Sequence, residues 1–236
     1  MLDQPEFDIR FEWSHQGIEK LAPISDVVII VDVMSFSTAV CICVANGAIV
    51  YPIRSRDDVP TEYAESLGAI LAGPRGKADY TLSPVSMQKI SKGDRIVLPS
   101  LNGSNLSMLT GDTPTLAGCL RNASTVARIA STYGSKVSVI GCGERWEDGT
   151  LRPSFEDLIG AGSIIQNLTG RLSPESEAAL AVFKYHKHEL LEKLSQCGSG
   201  RELTERGFAD DILFFAELNV DDVAPVLIEG AYRMSE

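Results

Sequence analysis

Short apolar runs punctuate the chain, and most are followed by a segment with helical spacing. The β-rich runs cover residues 7–12, 27–32, 48–53, 69–72, 95–98 and 136–141. Helical periodicity follows at 36–46, 57–67, 102–109, 121–132, 154–169 and 174–197. This alternation predicts an α/β protein with three layers, α/β/α, around a largely parallel or mixed sheet. The run Val27–Val31 is apolar on both faces, as a central strand covered by helices on each side requires. Segment 36–46 is apolar nearly all round, which predicts a deeply buried helix stopped at Gly47. Residues 1–236 read as a single domain, with a second reading as two similar lobes meeting near residue 135.

The most informative break in the pattern is Asp32, a carboxylate at the end of a run that otherwise demands burial. It precedes Ser35, Ser37 and Thr38 and the buried helix. In open α/β sheets, ligands bind at the carboxyl ends of strands, where the first N–H groups of the next helix attract anions. A phosphate held there, beside a carboxylate able to hold a cation, is a coherent site; the plainer alternative is that Asp32 and the hydroxyls cap the helix. The stretch 97–106 repeats the arrangement, with Asn102, Gly103 and Ser104 after a strand. Asn-Gly is also an ordinary turn dipeptide. In 152–162, Pro153 and Ser154 start a helix whose first turn holds Glu156 and Asp157. At helical spacing Asp157 stands over Ala161 and Ile164, on the packed face, while Glu156 stands over Gly160 and Ser163. A buried carboxylate there costs several kcal/mol unless a cation or hydrogen-bond donors meet it.

Other features are plainer. Arg75 in Gly-Pro-Arg-Gly-Lys (73–77) lacks the length and hydroxyl of a P-loop but is placed to meet an anion. His186 and His188 stand two apart and cannot share a helix face, and His15 is isolated. Asp210 and Asp211 precede an apolar run that either could cap, or they could supply a metal ligand.

Composition narrows the partners. A net charge of −11 argues against nucleic acid, which wants a basic face. No apolar run reaches membrane-spanning length, and the acidic N-terminal segment lacks the apolar core of a signal peptide. The five cysteines form no Cys-x-x-Cys, and none has an Arg six residues on, as a cysteine phosphatase loop requires. There is no Gly-x-Ser-x-Gly elbow. An odd number of thiols suits a cytoplasmic protein.

Taken in order, the motifs resemble the 2-phosphosulfolactate phosphatase (ComB) family. Asp32-Val33 and Ser37-Thr38 match its Asp-Val-x-Arg-Ala segment and the hydroxyls after it. Ala45, Asn46, Gly47 and Ala48 match its Ala-Asn-Gly-Ala. Gly73, Arg75 and Gly76 match its Gly-Glu-Arg-Gly, and Asn102, Gly103 and Ser104 its Thr-Thr-Asn-Gly-Thr. Ser154, Glu156, Asp157, Ala161 and Gly162 match its Ser-x-Glu-Asp and the Ala-Gly that follows. The resemblance runs from about residue 26 to about residue 226.

It implies magnesium-dependent hydrolysis of a small anionic phosphate ester. Asp32, Asn102 and Asp157 are then the candidate catalytic residues. Asp32, Glu156 and Asp157 are the candidate magnesium ligands, and Ser35, Ser37, Thr38, Arg75, Gly103 and Ser104 the candidate substrate contacts. A second copy of the chain is the other candidate partner. The nucleophile is either metal-bound water or Asp32. Ser35 stands where the family has Arg, Pro74 where it has Glu, and Asn105 where a basic residue is usual. Two lost cations weaken a site for a substrate carrying both phosphate and sulfonate. The alternatives are a less anionic substrate or a relative that only binds a small anion. A haloacid-dehalogenase-type phosphatase would need Asp at position 34, which is Met34.

Overall fold

The computed structural model describes residues 3–54 and 60–234. In chain order the elements are β1 (Ile9–Trp13), α1 (Ser14–Leu21), β2 (Val27–Val31), α2 (Phe36–Ala45), β3 (Ile49–Ile53), α3 (Pro60–Leu67), β4 (Ile70–Leu71) and α4 (Pro84–Met87). Then come β5 (Arg95–Pro99), α5 (Gly103–Ser107), β6 (Thr115–Gly118), α6 (Ala123–Ala130), β7 (Val137–Gly141), β8 (Glu144–Arg145) and β9 (Leu151–Arg152). The last are α7 (Phe155–Ile165), α8 (Pro174–His186), α9 (Leu190–Gln196), α10 (Gly198–Glu205), α11 (Ala209–Phe215), β10 (Pro225–Ile228) and β11 (Ala231–Met234). The expected three-layer α/β/α architecture is present, with a mixed sheet.

Among the described residues that sheet has nine strands, ordered β1-β7-β2-β6-β10-β11-β3-β5-β4. β1, β7, β2 and β6 form one parallel block, and β3, β5 and β4 a second. The β10–β11 hairpin lies between them, antiparallel to β6 on one side and to β3 on the other. Each flank of the hairpin is pinned by one residue pair, Val226 opposite Leu116 and Tyr232 opposite Val50. Here the sheet curls around α2, which packs against β6, β10, β11 and β3. Residues Phe36 to Val44 are all buried, as their uninterrupted apolar character demands. The curl carries the loop after β5 against the loop after β2.

Gly103 makes that approach possible. A Cβ there would stand 2.2 Å from the Phe36 ring, so any other residue would push α5 off α2. On the opposite face of the sheet, α7 packs closely on α8 through Gly162, where a Cβ would meet the Ala179 carbonyl oxygen at 2.1 Å.

Several elements depart from the sequence expectation. The segment 174–197 is two helices, because the chain turns at Lys187–Glu189; α8 packs on α7 and β1, whereas α9 packs on α10 and α11. Residues 57–59 of the helix expected at 57–67 lie outside the described residues. The β10–β11 hairpin turns through Glu229 and Gly230, both at positive φ, a tight-turn geometry supplied by Glu-Gly in place of the usual Asn-Gly. Strands on both sides of residue 135 share the one sheet. Among the described residues no helix is long and apolar enough to cross a membrane.

Candidate active site

Asp32 leaves the carboxyl end of β2 and is 6% exposed. The Phe36 N–H donates to one carboxylate oxygen at 3.1 Å and the Gly103 N–H to the other at 3.0 Å. Asp32 therefore caps α2 and also ties α5 to it, while lining a cavity. The first N–H groups of α2 are consequently not aimed at an anion. Phe36 gives its N–H to the Asp32 side chain, and Ser37 gives its own to the Asp32 carbonyl at 2.8 Å. A carboxylate held rigidly at the strand end takes the place of the expected anion hole.

Asp157 and Glu156, in the first turn of α7, are 3% and 2% exposed. Asp157 accepts the Val33 N–H and the Gly143 N–H, each at 2.8 Å. It thereby clamps the loop after β2 to the loop after β7. Glu156 keeps one carboxylate oxygen, Oε2, buried with no hydrogen-bond partner. A buried acceptor without a donor is costly and marks a place where a cation fits.

Glu144, on β8, also lines the cavity and accepts the Asn102 side-chain N–H at 3.1 Å. Burial is the main force on the carboxyls of Asp32, Asp157 and Glu144, with the repulsion of neighbouring carboxylates adding to it. It pushes Asp32 up to about 6, against the opposing pull of the Phe36 and Gly103 N–H groups. It pushes Glu144 up to about 7, with the charges of Asp32 and Glu156 contributing. The Asp157 carboxyl is raised for the same reasons: burial, then Asp32, then Glu156. A divalent cation in this cluster would relieve the repulsion. Among the described residues no three His, Cys, Asp or Glu side chains stand close enough to enclose a metal alone. Magnesium asks for less, preferring one or two carboxylates plus water and phosphate oxygens.

Basic groups line the same cavity. Arg75 is largely buried and lies 5.5 Å from the centre of the Phe208 ring. It pairs with Asp211, donates to the Ser35 hydroxyl, and donates to the Leu82 carbonyl at 3.2 Å. Burial and the neighbouring charge of Arg206 lower its pKa to about 10, while Asp32 pulls the other way. Asp211 is thus the partner of Arg75 and of the Ser83 hydroxyl. The cavity encloses about 680 Å³ and is lined by Asp32, Ser35, Arg75, Asn102 and Glu144, with Glu202 and Arg206 at its rim.

The structure therefore brings Asp32, Ser35, Arg75 and Asn102 to one cavity, Gly103 to the Asp32 carboxylate, and Asp157 and Glu156 beside Asp32. The other hydroxyls turn inward. Ser37 Oγ accepts the Asp32 N–H and donates to the Ile30 carbonyl. Thr38 Oγ1 donates to the Val33 carbonyl and Ser104 Oγ to the Leu98 carbonyl. Asn105 lies outside the cavity lining, its side chain on His15 at 2.9 Å. Sequence reasoning missed Glu144, Glu202 and Arg206. Glu144 had a weak signal, since it follows the end of β7 by three residues as Asp32 follows the end of β2 by one. Glu202 and Arg206 had none, because the long chain between them and β2 hides their meeting.

Comparison with known proteins places the chain among named relatives. The family model described as 2-phosphosulpholactate phosphatase matches residues 14–230. A protein of Gloeobacter violaceus is 30% identical over 230 residues, covering 87% of this chain and 92% of its own. One from Carboxydothermus hydrogenoformans is 31% identical over 217 residues, covering 88% and 89%. One from Pseudothermotoga lettingae is 24% identical over 214 residues, covering 87% and 91%. All three bear the name probable 2-phosphosulfolactate phosphatase.

Proposed function

The chain belongs to the 2-phosphosulpholactate phosphatase family, and from that premise we propose that it hydrolyses a small acidic phosphate monoester resembling 2-phosphosulfolactate, with magnesium as its cofactor. The observation that carries the reading is the meeting of opposite charges in one cavity. Asp32, Glu144 and Arg75 all line it.

In this reading Arg75, fixed by Asp211 and the Leu82 carbonyl, holds the non-bridging phosphoryl oxygens together with the Ser35 hydroxyl. Asp32 orients the attacking water and takes up its proton; at about 6 its pKa leaves it ionised at neutral pH. Glu144, pushed up to about 7, is protonated much of the time at that pH and can protonate the leaving alkoxide. Asn102 fixes the Glu144 carboxyl. One or two of the clustered carboxylates, Glu156 and Asp32 first among them and Asp157 beside them, would hold magnesium together with water and phosphate oxygens, as the unpartnered Glu156 Oε2 favours. When bound, the ion supplies positive charge against the charge developing on the phosphoryl oxygens.

The test is release of inorganic phosphate from phospholactate, 2-phosphosulfolactate and simple alkyl phosphates, with magnesium and after chelation. Turnover is expected with magnesium, lost on chelation and restored when the ion returns. Phospholactate is expected to outrun 2-phosphosulfolactate, because Ser35 replaces a family Arg. Full turnover after exhaustive chelation would sink the metal requirement. Tight binding of these esters without any turnover would identify a relative that only binds.

A further inference from the structure

Two guanidinium groups face the cavity, and they are held in opposite ways. Arg75 is buried, with three protein partners. Arg206 caps the carboxyl end of α10, and the chain then leaves through Gly207 at φ +84°. Its side chain is 56% exposed and its ion-pair partner is Glu202, at 3.1 Å, itself 63% exposed. An exposed pair one helical turn apart is weak and exchanges readily. Both residues of this pair line the cavity. Arg206 lies 5.9 Å from the centre of the same Phe208 ring that Arg75 covers at 5.5 Å. The ring thus holds two like charges near each other, and the charge of Arg206 is felt at Arg75. Such an arrangement suits a ligand with two anionic groups, one for each cation. Arg75 is fixed, as phosphoryl transfer needs, whereas Arg206 is free to change partner.

We propose that Arg206 is a specificity-determining residue that takes a second anionic group of the substrate, a carboxylate or sulfonate on the same carbon skeleton, and that Glu202 occupies Arg206 until this group arrives. The inference rests on the phosphate-ester reading of the cavity. It adds that selection of acidic esters occurs at the end of α10, away from the carboxylate cluster. Glu202 acts as an internal competitor, an acetate-like group in the position the substrate's acid will take.

The experiment compares phospholactate with isopropyl phosphate, which has nearly the same skeleton without the carboxylate, in wild-type protein, Arg206→Gln and Glu202→Gln, all with magnesium. Steady-state turnover and calorimetric binding are both read. Arg206→Gln is expected to shrink the preference for phospholactate in KM by at least about tenfold, with the loss falling on KM more than on kcat. Glu202→Gln is expected to lower KM for phospholactate severalfold. A pair serving only to hold the helix end would make the two variants behave alike, and would move both esters equally. Either result, or an unchanged preference in Arg206→Gln, overturns the proposal. If the wild type turns over neither ester yet binds phospholactate more tightly through Arg206, the phosphatase reading falls and this inference stands. If it binds neither ester, the inference falls too.

Discussion

Of the site's carboxylates, Asp32 and Glu144 line the cavity with Glu156 and Asp157 close to Asp32, and among the described residues none of the four forms an ion pair. The two guanidinium groups that line the same cavity, Arg75 and Arg206, each already hold a carboxylate, Asp211 and Glu202. The acidic groups meet their charge with main-chain N–H donors and with retained protons. The basic groups meet theirs with counter-ions. A cluster that keeps protons near neutral pH has an unmet demand for positive charge, so a cation can add to it. Arg75 keeps Asp211 and has further N–H groups to offer, whereas Arg206, in an exposed pair, can exchange Glu202 for another anion. The carboxylates are therefore built for addition and Arg206 for substitution.

The sharpest way to break this comparison is at Asp32. Asp32→Asn keeps the shape and one acceptor for the Phe36 or Gly103 N–H but removes the charge. Turnover should fall at least about a thousandfold, roughly 4 kcal/mol, while the melting temperature moves little. A variant retaining a tenth of wild-type turnover would mean that Asp32 is only a helix cap.

A smaller effect should appear in stability as pH changes. Asp32 and Glu144 bind protons in the folded protein at pH values where the unfolded chain has released them. Folding thus takes up protons, and this contribution is complete below about pH 4 and lost as pH rises through about 6 to 7. Thermal unfolding without divalent cations should show a loss of several kcal/mol across that window, reduced in Glu144→Gln. Added magnesium should restore the stability at the alkaline end. A flat profile, or one that magnesium leaves alone, would remove the unmet charge from the comparison.

Smaller again is the expectation for Glu156. Glu156→Gln should weaken magnesium binding about tenfold, or ~1.4 kcal/mol, by calorimetry, and should raise cation-free stability by relieving repulsion. Unchanged affinity would place the ion elsewhere in the cluster.

The part of this site legible in the sequence is the part carried by local pattern. The β2–Asp32–α2 unit announces itself because a charge interrupts an apolar run beside an all-apolar helix. Asp157 stands out because helical spacing sets it over Ala161 and Ile164. The hydroxyls of Ser37, Thr38 and Ser104 show the limit of such reading, since composition names a donor but not the carbonyl it will meet. Arg206 lay out of reach because its meeting with Arg75 depends on Phe208 and on the path of the long chain between them, which no periodicity records. In the fold, β1, β2, β3, β4, β5 and β7 were legible as short runs. β6, Thr-Leu-Ala-Gly, holds one large apolar residue and does not register, and the β10–β11 hairpin is marked only by Glu229-Gly230.

That hairpin has a consequence for how the molecule is made. Of the described strands it is the latest to leave the ribosome, yet it occupies the middle of the sheet and joins two blocks that have no other strand pairing between them. The earlier strands emerge with the centre of their sheet missing, and the facing edges of β6 and β3 stay open until residues 225–234 arrive. Pairings so distant in sequence form slowly. Nascent chains halted before residue 225 should therefore remain protease-sensitive and prone to pairing with one another, whereas release of the hairpin should close both edges in one step.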